Sequence, residues 1–232
     1  MPQSEPSENE NLMKVKIATQ WKNSVDFFKT AINYYGNFRF CKIDLSLLLL
    51  YFGNNPFTIS RDFLRSIGEE DVYAFGETPL ATMDFIAREC QLSKNDTVFE
   101  LGCGRGRTCF WLNSFLGCKA VGIDFIPQFI DIANTIKKRY AVNDVEFRLE
   151  DMFKTSLDGA TAIYLYGTNL KDRQIINLID RFKELPVGTK IITISYPLTD
   201  YTSEPLFEVM KHFTAQFTWG EADVYFQVRK DF

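Results

Sequence analysis

Val98-Phe99-Glu100-Leu101-Gly102-Cys103-Gly104-Arg105-Gly106 is the stretch on which the fold turns. Strand-prone residues run straight into a turn with glycine at every second position, and Leu112, Phe115 and Leu116 sketch a helix behind it. Glycine adopts backbone angles closed to other residues and lets a ligand approach the main chain. At the carboxyl end of a strand in an open α/β sheet, such a turn is where nucleotides bind. Spacing then discriminates between nucleotides. A dinucleotide-binding turn wants glycines at relative positions one, three and six, whereas here Arg107 holds the sixth place after Gly102 and Gly104.

The same alternation continues outward from this turn. Leu80, Met83, Ile86, Ala87 and Cys90 mark an amphipathic helix before it, with Thr78 as the expected cap and Pro79 at the first helical position. Strands are predicted at 97–101, 120–124, 145–149, 162–166 and 190–196, and helices between them around Ile126–Ile136 and Ile175–Phe182. Strand and helix in alternation imply a parallel sheet covered on both faces. The tail carries two more β-like runs, 214–218 and 223–229, around Trp219-Gly220-Glu221, and reads as a terminal antiparallel pair. His212, the single histidine, is read as a surface residue in a helical stretch before that pair.

The N-terminal third lacks this alternation. Residues 1–11 are Pro, Gln, Ser, Glu and Asn with little apolar content, and are expected to be a disordered tail without signal or anchor character. Residues 12–76 read as a helical cap. Trp21, Val25, Phe28, Ile32 and Tyr35 share one helix face that Gly36-Asn37 ends, and the apolar run Leu45–Phe52, too short to span a bilayer, reads as a buried helix segment. Residues 77–232 form the sheet domain.

Two carboxylates stand at strand ends beyond the glycine turn. Asp124, followed by Phe125, closes the second strand some twenty residues after the turn, where a carboxylate can accept from both hydroxyls of a ribose. Asp151 and Met152 follow the third strand. Acidic-Leu-Gly-x-Gly-x-Gly, then Asp124, then Asp151 resembles, in order and spacing, the class I S-adenosylmethionine-dependent methyltransferases. The resemblance covers about Gly76 to Pro197. It implies a Rossmann-like, mostly parallel seven-stranded sheet with helices on both faces, here with the N-terminal helical cap added. It also implies S-adenosylmethionine on Glu100, Gly102, Gly104 and Gly106, with Asp124 and Phe125 at the ribose, Asp151 and the Met152 amide at the adenine, and Tyr73, Thr78 and Tyr166 toward the methionine end.

Within that family, Phe75-Gly76-Glu77, the glycine motif and Leu185-Pro186-Val187-Gly188-Thr189-Lys190-Ile191-Ile192 look like the Dot1-type histone lysine methyltransferases and the small protein-lysine methyltransferases. Tyr164-Leu165-Tyr166-Gly167-Thr168-Asn169 departs from the Asn-rich segment of the Dot1 type. The same stretch lacks the Pro-Pro-aromatic sequence of nucleobase amino-methyltransferases and the Pro-Cys nucleophile of cytosine-C5 enzymes. The expected reaction is in-line methyl transfer to a protein lysine amine, with a small-molecule acceptor, a non-catalytic S-adenosylmethionine-binding module and an NAD-dependent oxidoreductase as successively weaker alternatives. Tyr166, Asn169 and Tyr196 are the expected catalytic residues, lining an aromatic pocket that desolvates the lysine; Tyr164 is read as strand packing. A free lysine titrates near about 10.4, and desolvation disfavours its ammonium form.

Bulk properties fit this reading. A net charge of −4 gives little bulk electrostatic support for a phosphate backbone as partner, with a local basic patch left open. The five cysteines, an odd number without zinc-type spacing, read as reduced and buried, which places the chain in the cytoplasm without a metal.

Overall fold

The computed structural model describes residues 25–73 and 75–231. The expected tail and Trp21 lie outside the described residues. Helix α1 is described over 25–34. It is followed by α2 (Phe38–Leu50), α3 (Pro56–Ser66) and α4 (Leu80–Glu89), and then by a seven-stranded sheet in the order β3-β2-β1-β4-β5-β7-β6. The strands are β1 (Thr97–Leu101), β2 (Lys119–Asp124), β3 (Val145–Leu149), β4 (Ala162–Leu165), β5 (Lys190–Ile194), β6 (Phe207–Phe217) and β7 (Gly220–Arg229). Helices α5 (Arg107–Trp111), α6 (Pro127–Arg139) and α7 (Asp172–Phe182) link them. β1 to β5 pair in parallel, while β7 joins β5 and β6 antiparallel. This is the mostly parallel seven-stranded sheet that the resemblance implies. Among the described residues, no helix is long and apolar enough to cross a membrane.

Side chains alternate between the two faces with the period of two that a pleated strand imposes. Val98, Ala120, Ala162, Tyr164 and Ile192 join the core beneath α2, α4, α5 and α6. Phe99, Val121, Ile163, Leu165 and Ile191 join the core beneath α7.

Several local readings need correction. Asn37 does not merely end the first helix; its side chain accepts from the Phe40 N–H and so begins α2. Of the run Leu45–Phe52, Leu47 and Tyr51 are buried, but Leu49 (72 %) and Phe52 (89 %) are exposed. The leucines wind around a helix of 3.6 residues per turn, and only one face meets the core. α4 begins one residue later than expected, with Pro79 as its cap residue, because the Thr78 hydroxyl is taken by the Tyr164 hydroxyl at 2.6 Å. His212 lies in β6, not in a helix; its ring stacks on Tyr225 and meets Asp223 at 2.8 Å. The register shift between Val209 and Lys211 breaks the period-two pattern that would have marked the strand in sequence. All five cysteines are free thiols; four are buried and Cys41 is half-buried.

Candidate functional site

The turn after β1 is built by three left-handed glycines, Gly102 (φ 83°), Gly104 (φ 51°) and Gly106 (φ 71°). Residues with side chains rarely adopt such angles. Their surroundings differ. A Cβ on Gly102 would meet only Met152 Cε, at 3.7 Å, so this backbone stays open. On Gly104 it would press Phe75 at 3.1 Å. On Gly106 it would lie 2.2 Å from Phe147 Cε1. Gly106 therefore faces protein rather than cleft, and its part in the site is to let the chain turn into α5.

A narrow, partly enclosed cavity opens beside Gly102. Gly76, Glu77 and Thr78 bound it from the loop before α4, Gly102 and Cys103 from the glycine turn, and Tyr166 from the end of β4. Glu100, Arg107 and Thr108 complete its lining.

Glu100 is buried at the end of β1, and its carboxylate accepts from the Thr108 hydroxyl at 2.6 Å and the Cys109 thiol at 3.1 Å. Burial pushes its pKa up to about 7, against the opposing pull of those two donors. Asp124, at the end of β2, accepts from the backbone N–H of Gly104 (2.8 Å) and of Ile126 (2.9 Å). Burial raises it to about 6, opposed by the same backbone donors. The residue expected to grip a ribose thus also ties the glycine turn to β2. A carboxylate offers about four lone-pair sites, so a share remains for a ligand. Asp151 accepts from Phe153 N–H at 2.9 Å and pairs with Lys154 at 3.3 Å. Phe125 packs edge-on against Phe63 of α3, 5.6 Å between centroids.

Of the remaining expected residues, Tyr166 is at the cavity and three are not among its lining. Tyr73 is exposed (79 %), its N–H held by Asp71. Asn169 is exposed in the turn after β4. Tyr196 packs against the core on the α7 face and donates to the Gly167 carbonyl at 3.2 Å. Tyr166 belongs with the opposite core, so the two tyrosines do not share the pocket expected of them. Tyr164 is fully buried, as strand packing requires.

The structure adds residues that sequence reasoning missed. Arg105 pairs with Glu77 through two of its nitrogens. Arg107, the first residue of α5, grips Asp44 of α2 at 2.6 and 2.9 Å, and the Tyr35 hydroxyl donates to the same carboxylate. Trp219, in the β6–β7 turn, donates its indole N–H to the Tyr166 hydroxyl at 2.5 Å and stacks on Phe217. The only sequence signal for Trp219 was an aromatic residue at a turn. Arg105 and Arg107 stood inside the motif, with partners too distant in sequence to foresee.

Residues 92–162 match the family model of a methyltransferase domain. Over residues 92–162 the chain is therefore similar to methyltransferase domains, and this match supports S-adenosylmethionine-dependent methyl transfer. No curated protein sequence matches the chain. Among solved structures it is similar to an RNA methyltransferase from Salinibacter ruber in complex with S-adenosyl-L-homocysteine: TM-score 0.54, 22 % identity, 67 % of this chain and 95 % of that one. It is also similar to TrmN from Thermus thermophilus, with TM-score 0.56, 12 % identity, 63 % of this chain and 48 % of that one. A third likeness is geranyl diphosphate C-methyltransferase from Streptomyces coelicolor A3(2), with TM-score 0.55, 14 % identity, 66 % of this chain and 79 % of that one. At these identities the structural likenesses speak for the fold. The open backbone at Gly102, with Asp124 and Asp151 at the same edge of the sheet, fits S-adenosylmethionine as the cofactor.

Proposed function

We propose that this methyltransferase domain modifies an amine, and that the amine is a protein lysine. The observation that carries the reading is the aromatic ledge of Tyr166, Phe217 and Trp219. Phe217 lies 5.5 Å from Tyr166 and 5.8 Å from Trp219, centroid to centroid, and Tyr166 itself borders the cavity. Rings attract a cation by their π faces without a formal negative charge. An amine drawn there would be desolvated, which favours the neutral, nucleophilic form. A carboxylate in the same place would hold the proton on the nitrogen. Of the two acidic residues that line the cavity, Glu77 is paired with Arg105, and Glu100 is held by Thr108 and Cys109.

Bound in the cleft, S-adenosylmethionine would supply an already activated sulfonium methyl group. In this reading Asp124 accepts from the ribose hydroxyls, Asp151 and the Met152 amide meet the adenine, and the backbone at Gly102 lies against the cofactor. Burial holds the Tyr166 hydroxyl un-ionised, and that hydroxyl already accepts from Trp219. Its remaining lone pair can accept an amine N–H and so steer the nitrogen's own lone pair. Alignment of this kind accounts for roughly 7–11 kcal/mol of a barrier in favourable cases. A small-molecule acceptor is the second reading, favoured by the limited size of the cavity. NAD chemistry is disfavoured by the strand order, which inserts the antiparallel β7 beside β5 where dinucleotide-binding sheets continue in parallel.

The test is methyl labelling of cell extract with tritiated S-adenosylmethionine. Label is expected in a protease-sensitive, nuclease-resistant fraction, released on hydrolysis as methyl-lysine. Label in nucleic acid or in small solutes would reject the lysine assignment.

A further inference from the structure

Tyr51 closes α2 and is 95 % buried, with 5 % of its surface exposed. Its hydroxyl has no hydrogen-bond partner among the described residues. A buried hydroxyl left unpaired is unfavourable, and native proteins keep few of them. The position of this one is informative. The Arg105 guanidinium lies over the Tyr51 ring, 5.2 Å from its centroid, and the Phe129 ring packs edge-on at 6.2 Å. Arg105 sits between Gly104 and Gly106 in the cofactor turn. Burial raises the Tyr51 hydroxyl's pKa, and Arg105, Glu77, Asp124 and Cys103 all act electrostatically upon it. The hydroxyl is therefore a neutral donor, carried by the cap into the surroundings of the glycine turn.

Arg105 itself is not saturated. A guanidinium has five N–H donors, and Nε and Nη2 each meet a Glu77 oxygen. Donors remain on a buried guanidinium that lies over the ring of Tyr51 and belongs to the cofactor turn itself. Two donors of this kind, one of them cationic, suit a carboxylate.

We infer that Tyr51 is a cofactor-positioning residue whose hydroxyl, together with Arg105, receives the carboxylate of the cofactor's methionine moiety. This rests on the methyltransferase reading above. It gives the cap a role in the site: α2 carries a donor to the amino-acid end of the cofactor, and the fit of that end depends on the cap being docked.

Calorimetry on the full chain tests the inference with two ligands, S-adenosylhomocysteine and 5′-methylthioadenosine, which lacks the amino-acid carboxylate. In Tyr51→Phe, affinity for S-adenosylhomocysteine should fall about tenfold, the scale of one hydrogen bond to a charged group. Affinity for 5′-methylthioadenosine should stay within about twofold of wild type, a change too small to mark a lost hydrogen bond. The melting temperature without ligand should hold or rise, since no hydrogen bond within the protein is lost. Unchanged S-adenosylhomocysteine affinity would overturn the inference, and so would an equal loss for both ligands, which would put the hydroxyl on the nucleoside. A wild-type chain that binds neither ligand would instead bring down the methyltransferase reading, and this inference with it.

Discussion

Glu100→Gln tests the electrostatics of the site through the stability of the fold. The Glu100 carboxyl is buried, and burial moves its pKa from 4.5 to about 7. Between those values the folded chain keeps a proton that the unfolded chain has released. The unfolded state then binds fewer protons, so stability falls as pH rises through this window. At about 1.36 kcal/mol per pKa unit, the gap corresponds to about 3 kcal/mol of stability, fully present below the unfolded pKa and lost above the folded one. Glutamine keeps the shape and cannot ionise, and its amide can still accept from the Thr108 hydroxyl. Asp124 also contributes a slope, since burial raises it from 3.8 to about 6, but that slope is common to both proteins. Urea unfolding of wild type and Glu100→Gln at a series of pH values isolates the Glu100 contribution as a difference. The wild type should lose about 3 kcal/mol relative to the variant between about pH 4.5 and 7, then run parallel to it. A difference that stays flat across this window would refute the claim that Glu100 is buried without a compensating cation.

Three further outcomes follow. Gly106→Ala puts a Cβ 2.2 Å from Phe147 at a left-handed φ of 71°, and should lower unfolding free energy by about 2 kcal/mol or more in urea, with Phe147→Leu restoring part of the loss. Arg107→Ala strands the fully buried Asp44 with only the Tyr35 hydroxyl, and should cost about 3–5 kcal/mol by the same measurement; Asp44→Asn in the same chain should recover much of it. Asp124→Asn should weaken S-adenosylhomocysteine binding by roughly 1.5–3 kcal/mol in calorimetry. Wild-type affinity should itself decline as pH falls through about 6, where Asp124 takes up its proton, and the variant should lack that decline.

The sheet was legible because its signals are local. β1 to β5 are short, mostly apolar runs, the first three ended by glycine or a carboxylate, and they alternate with helical stretches. The glycine turn was legible for the same reason, since three positive-φ residues in five positions leave a direct mark on the sequence. What escaped was set by contacts across long chain separations. Tyr166 and Tyr196 both follow strand ends, yet they pack with opposite cores, and no local pattern says which way a residue beyond a strand will turn. Trp219 reaches Tyr166 only because the β6–β7 hairpin lies alongside β5, and the register shift near Met210 hid the first half of that hairpin. Thr78 was read as a helix cap from its neighbours, but a tyrosine 86 positions away claimed its hydroxyl.

The missed contacts share one feature: most bear on the cofactor turn from outside the strand that carries it. Asp44 holds Arg107 from α2, Glu77 holds Arg105 from the loop before α4, and the Phe75 ring lies where a side chain on Gly104 would reach. A buried ion pair such as Arg107–Asp44 adds little net stability over an apolar pair, because desolvating the two charges offsets most of their attraction. Its effect here is better sought in geometry. The bidentate fork fixes the first turn of α5 against α2, and the three left-handed residues before it then have a defined exit. A turn made of glycines has little rigidity of its own. Its shape must be imposed by what packs against it, and in this chain the cap does much of that. A chain shortened to begin after α3 would keep every glycine of the turn and both strand-end carboxylates yet lose Asp44 and Tyr51. Its cofactor affinity should therefore drop even where circular dichroism shows the sheet still formed, and unchanged affinity would mean that the turn holds its shape alone.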